Sequence, residues 1–141
     1  MATRLQPNQI QNLQQIEAVV TSSEGALRLF TVTGQTSNIF FGAFSQGAQT
    51  NNNQTFTVLV GPTLTRQQFV RAICTASLAQ TSQRVQVVGG DLSCGIVSSD
   101  ADWDDESGQV ELRVEVNASA SGNNNSVTLN SFSFQVTILA A

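Results

Sequence analysis

Between Gln109 and Asn117 the chain alternates strictly, with Val110, Leu112, Val114 and Val116 on one parity and Gln109, Glu111, Arg113 and Glu115 on the other. Side chains of an extended backbone point to opposite faces with period two, so this segment is a strand with one buried and one wet, charged face. A helix would scatter the same four aliphatic residues around its circumference. Residues 127–139 repeat the pattern. Phe132, Phe134, Val136 and Ile138 share one parity, and Val127, Leu129, Ser131 and Ser133 share the other. The heavier parity is expected to face the core. Ser119–Ser126, with Gly122 and three consecutive asparagines, reads as a turn, so the two segments are expected to form a long hairpin.

The earlier part of the chain is less uniform. Ile10, Leu13, Ile16 and Val20 lie three or four apart, the spacing of one narrow apolar stripe on a helix from about Pro7 to Val20, and Pro7 and Asn8 suit its start. From Ala26 the period becomes two, and a second strand is expected over Asn38 to Phe44, joined by a hairpin connection at residues 33–37. Residues 45–54, with three asparagines in a row, read as a projecting loop. Thr55 to Val60 reads as a strand stopped by Gly61 and Pro62. Thr65 and Gln68 have the spacing of a capping box, and Leu64 and Phe69 that of a hydrophobic staple, so a second helix is expected to about Gln80. A further strand is expected over Arg84 to Val88, ended by Gly89 and Gly90.

These elements predict a single globular domain over residues 1–141, of the α+β class. It has a mainly antiparallel β-sheet of about six strands with two packed helices, the alternative being a β-sandwich with peripheral helices. Eight of the nine aromatic residues are Phe, and their placement in strands points first to core packing.

Composition narrows the function classes. There is no Lys, His or Tyr, which excludes histidine acid–base chemistry, a P-loop lysine, a lysine Schiff base and a tyrosine nucleophile. No catalytic residue is assigned. The six arginines are scattered, without the basic stripe that a nucleic acid calls for. No apolar run is long enough for a membrane span, and the N-terminus lacks the pattern of a secretory signal. The compartment stays open, extracellular or particle-associated residence included. Fifty-six residues are Ser, Thr, Asn or Gln.

The net charge of −4 is concentrated. Asp100, Asp102, Asp104, Asp105 and Glu106 supply five of the ten acids, and the rest of the chain carries +1. Such a near-neutral body repels its neighbours weakly. With Asp100 as position one, the acids Asp100, Asp102, Asp104, Glu106 and Glu111 fall at positions one, three, five, seven and twelve. This resembles the ligand spacing of a calcium-binding EF-hand loop. The resemblance implies calcium as the candidate ion, with those five residues as the candidate metal ligands and no other cofactor. The segment departs from the pattern at position six, which is Asp105 in place of Gly, and at position eight, which is Ser107 in place of an apolar residue; Glu111 also belongs to the predicted strand. A solvated acidic turn is the competing expectation.

Cys74 and Cys94 are the only cysteines. They can form one disulfide or stay as buried thiols, and no CxxC supports a redox or zinc site. Glycosylation patterns at Asn53, Asn117 and Asn124 are the number that chance delivers in so amide-rich a chain. The functional expectation is a non-catalytic structural or self-assembly protein, a homo-oligomer or partner of an assembly, of the kind that serves as an extracellular, particle or virion component. The alternative is a carbohydrate or protein binding module, calcium-assisted, using polar loops and Trp103.

Overall fold

The computed structural model describes residues 2–23, 25–86 and 89–141. Among these described residues seven strands form one sheet: β1 (Ala2–Arg4), β2 (Ile10–Ser22), β3 (Gly25–Thr36), β4 (Phe41–Val60), β5 (Phe69–Arg84), β6 (Leu92–Trp103) and β7 (Val110–Ala140). Among the described residues the helical structure is one 3-10 turn, Pro7–Gln9. The expected α+β class with two packed helices is therefore wrong, as are the peripheral helices of the alternative.

β7 organises everything else. It is 31 residues long and antiparallel to its neighbours on both sides. Along one side β3 pairs with its C-terminal part and β4 with the remainder, both running in the same direction. Along the other side β5 and β6 do the same. β1 adds a short parallel pairing to β4, and β2 an antiparallel one to β3.

A straight strand of this length would reach about 100 Å. The connection over residues 61–68 can span at most about 29 Å, yet it touches both ends of β7. Leu64 N–H donates to the Gly108 carbonyl at 2.7 Å, and Ala141 N–H donates to the Gln68 carbonyl at 2.7 Å. β7 is therefore bent back on itself, and the sheet curls into a half-barrel. Val110, Leu112, Val114 and Val116 from one arm share a core with Phe132, Phe134, Val136 and Ile138 from the other, filled in by Phe30, Val32, Phe56, Val58 and Leu64. Phe56 bridges Phe41, edge-on at 6.1 Å, and Phe132 at 6.2 Å.

The bend lies at the predicted turn. Gly122 (φ 95°) and Asn124 (φ 63°) take the left-handed conformation, and Asn125 is fully buried. Its side-chain oxygen accepts from Gln86 N–H at 2.8 Å, and its amide nitrogen donates to the Ser121 carbonyl at 2.9 Å. The buried parity shifts there from even positions, ending at Ala120, to odd ones beginning at Asn125. The expected turn over Ser119–Ser126 is instead continuous strand that bends, so one strand folds over and no hairpin is closed. The two arms pair with β3 to β6 and pack face to face.

The other corrections share one cause. β3 and β4 do not form the expected hairpin, because both lie along β7, and the amide-rich segment 45–54 is part of β4. The capping box is real: Thr65 N–H donates to Gln68 Oε1 at 2.9 Å and Gln68 N–H to Thr65 Oγ1 at 3.3 Å. It closes a single turn, since Phe69 already pairs with Ala140. In β5 the residues Ala72, Cys74 and Ala76 sit at period two against the core, a pattern that also fits a helix face of small residues. In β2 the apolar residues Leu13, Ile16 and Val20 are exposed, so their spacing carries no buried stripe. Of the strand expected over Arg84 to Val88, Arg84 ends β5, and Val87 and Val88 lie outside the described residues, as does Glu24.

Candidate functional site

The acidic segment is a strand end and a tight turn. Asp100 and Asp102 lie exposed on β6, opposite Arg113 and Glu111 of β7. Asp104 opens the turn that follows. Its Oδ2 accepts from Ser107 Oγ at 2.7 Å and from Ser107 N–H at 3.0 Å, and Gly108 N–H returns to its carbonyl at 2.8 Å. The Ser107 hydroxyl and amide hold the Asp104 carboxyl below its ordinary range. Glu106 is exposed at the tip. Glu111 is occupied elsewhere, with Arg4 at 2.9 Å and Arg113 at 3.6 Å, which ties β1 to the sheet. Among the described residues no group of three or more Asp, Glu, His or Cys side chains is placed to hold a metal ion. The five candidate ligands are thus divided between two strands and a turn.

Trp103 is engaged by the protein. Its Nε1–H donates to the Leu64 carbonyl at 3.1 Å, and the Arg66 guanidinium lies 5.6 Å from the centre of its ring. This anchors the connection 61–68 over the end of the half-barrel. Cys74 and Cys94 are free thiols, half-buried against the core. Burial raises both thiols above the ordinary range. For Cys74, a hydrogen bond from Ser99 opposes that shift and the Asp100 charge adds to it.

Two surface features were not foreseen from the sequence. The first is an apolar band across four strands on the outside of the half-barrel. The pairs Phe30 with Ile138 and Ala72 with Ile138 fix the inner parity, so Leu29, Leu139 and Arg71, which are paired in one row, face outward. The next row outward is Ile16, Thr31, Thr137 and Ile73, and Ala18 extends the Leu29 row onto β2. Ile16 is 66% and Ile73 57% exposed. A shallow hollow of about 280 Å³ lies between Leu29, Ile73 and Leu139.

The second is an uncharged cleft of about 320 Å³ where the chain passes from β3 to β4, lined by Gln11, Gln35, Gln80, Asn130 and Ser131 among others. Phe40 stands at its side, 68% exposed, and both Phe40 (φ 53°) and Asn38 (φ 57°) adopt the left-handed conformation that non-glycine residues avoid. Ser37 Oγ is buried beside them without a hydrogen-bond partner. The signals lay in the sequence as Leu27, Leu29, Ile73 and Leu139 on the minor parity of their strands, and as Gln and Asn at strand ends.

No family model, curated protein or solved structure matches the chain. Among the described residues no helix is long and apolar enough to cross a membrane.

Proposed function

We propose that this chain is a non-catalytic structural protein that assembles with copies of itself, as a particle or extracellular component does. The observation that carries this reading is the apolar band through Ile16, Leu29, Leu139 and Ile73, on the outside of a domain whose core is already complete. Exposed apolar surface spread over several strands marks a contact surface more often than a solvated one. The low charge of the body removes the repulsion that would keep copies apart. Light scattering across a concentration series tests the reading. A defined oligomer is expected, and a strict monomer up to about 100 µM, well above common assembly affinities, would overturn it.

The cleft beside Phe40 favours a second reading, a binding module for neutral saccharides. Amides and hydroxyls match sugar hydroxyls without net charge, and an exposed ring can cover a pyranose face. Cellobiose and maltose titrations followed by amide chemical shifts test it. Shifts at Gln35 and Asn130 that vanish in a folded Phe40→Gly variant are expected, and unmoved spectra with both sugars would count against it.

A further inference from the structure

We infer that two copies of the chain associate by antiparallel pairing of their β2 strands across a two-fold axis at Ala18. This rests on the assembly reading above and names its contact.

The sheet leaves several strands with a neighbour on one side only, and an open edge is a template for another strand unless it is protected. The other edges carry protection. β1 is three residues long, and β4, which β1 covers only at Thr55–Thr57, is broken by register shifts at Ser45/Gln46 and Gly47/Thr50. β5 is broken by register shifts at Phe69/Arg71, Leu78/Gln80 and Gln80/Thr81, and Arg71 and Arg84 stand near its ends. β6 has a shift at Ile96/Ser98 and the charges Asp100 and Asp102. β2 differs from all of them. Its one irregularity is at Gln11/Gln14, and Gln14–Ser22 then runs in unbroken register with β3, each residue exposed, with Glu17 as its single charge and no Pro. A regular strand alternates its hydrogen-bonding groups between its two edges, so half of those from Gln14 to Thr21 point away from β3.

The occupant follows from the order of side chains along this edge. A two-fold axis normal to the sheet keeps each side chain on its own face, so only residues of like parity meet. Centred at Ala18, the middle of the regular stretch, it sets Ala18 against its own copy and Ile16 against Val20 of the second copy. On the other face it sets Glu17 against Val19 and Gln15 against Thr21. Apolar residues meet apolar residues on the face that continues the Leu29 row, the smallest side chain lies on the axis, and no like charges are directly opposed. The two Glu17 residues lie on a diagonal, their backbones about 7–8 Å apart. They are the one unfavourable element, so their neutralisation strengthens the pair.

Three variants test the contact against the intact chain, each first shown to be folded by its circular dichroism and melting curve. Ile16→Lys/Val20→Lys sets lysines opposite one another and is expected to weaken association more than about 100-fold. Glu17→Gln is expected to tighten it about two- to five-fold. Ala18→Cys, in a Cys74→Ser/Cys94→Ser background, is expected to give a disulfide-linked dimer on mild oxidation, because the two sulfur-bearing carbons face each other on the axis. If the parent is an oligomer that survives the double lysine change and Ala18→Cys gives no cross-link, the β2 contact is overturned while the assembly reading stands. If the parent is a strict monomer, both fall. Should the lysine variant not fold, the cross-link decides alone.

Discussion

The Thr36 hydroxyl holds both backbone groups of Phe132, accepting from its N–H at 2.9 Å and donating to its carbonyl at 3.3 Å. Both residues are fully buried. Here β7 passes from β3, whose pairing stops at Ser133, to β4, whose pairing starts at Leu129, so residues 130–132 have no strand beside them on that side. The buried parity also returns from odd to even between Ser131 and Phe132. One hydroxyl therefore satisfies a gap in the ladder at the point where β7 resets which side chains enter the core. Thr36→Val keeps the shape and removes both hydrogen bonds. It is expected to destabilise the fold by about 2–4 kcal/mol, the cost of leaving two buried backbone groups unsatisfied, and Thr36→Ser should recover most of it. Urea unfolding of the three proteins checks this.

The bend depends on Asn125 in a comparable way. Its amide joins the Ser121 carbonyl to Gln86 N–H, and a Cβ added at Gly122 would come 2.5 Å from the Asn125 nitrogen. Asn125→Ala should cost about 1–3 kcal/mol, from the loss of two part-buried hydrogen bonds made by a fully buried side chain. Gly122→Ala should also destabilise, since it combines this clash with a φ of 95° that alanine rarely adopts. The melting temperatures of both variants, measured by circular dichroism, are expected to fall by several degrees.

How much of this was legible in the sequence depends on which physical signal each segment carried. Val110 to Val116 could be read because one face is buried and the other wet, and the break in the regular backbone at Gly122 could be read from its residue types, though not that the strand continues through it. What the turn does could not be read. Gly and Asn allow a left-handed backbone, but whether two arms then pair with each other or fold apart depends on β3 to β6, which are distant in sequence. The helix assignments failed where burial was absent or the side chains small. Ile16 and Val20 lie on an exposed edge, and Ala72, Cys74 and Ala76 suit either period. In the acidic segment, spacing placed five carboxylates within twelve positions; the sheet does set Asp102 opposite Glu111, but Glu111 is held by Arg4 and Arg113, and Asp104 is held by Ser107 in the turn that follows.

The two thiols offer a chemical check on the core. Cys74 and Cys94 are free and half-buried, and burial raises both above the ordinary thiol range, which lowers the thiolate fraction at neutral pH. Alkylation by iodoacetamide at pH 7 should be slow in the native protein and complete in denaturant, with two groups modified per chain. Intact-mass measurement after timed quenching distinguishes this from a disulfide, which would leave no group to modify.

The Asp104 turn gives the pH dependence a definite sign. Its carboxylate accepts the Ser107 hydroxyl and amide, so its folded pKa lies below the value it has in the unfolded chain. A group depressed in this way binds fewer protons folded than unfolded. Its stabilising contribution is fully present above the unfolded carboxylate range and is lost as pH falls through the folded value. In Ser107→Ala the hydroxyl is gone and the backbone N–H remains, so the Asp104 midpoint should rise part of the way back toward an ordinary aspartate. Carboxyl-carbon chemical shifts followed from neutral pH into acid measure both midpoints. Coincident curves for the two proteins would mean that the hydroxyl does not hold this carboxylate in solution.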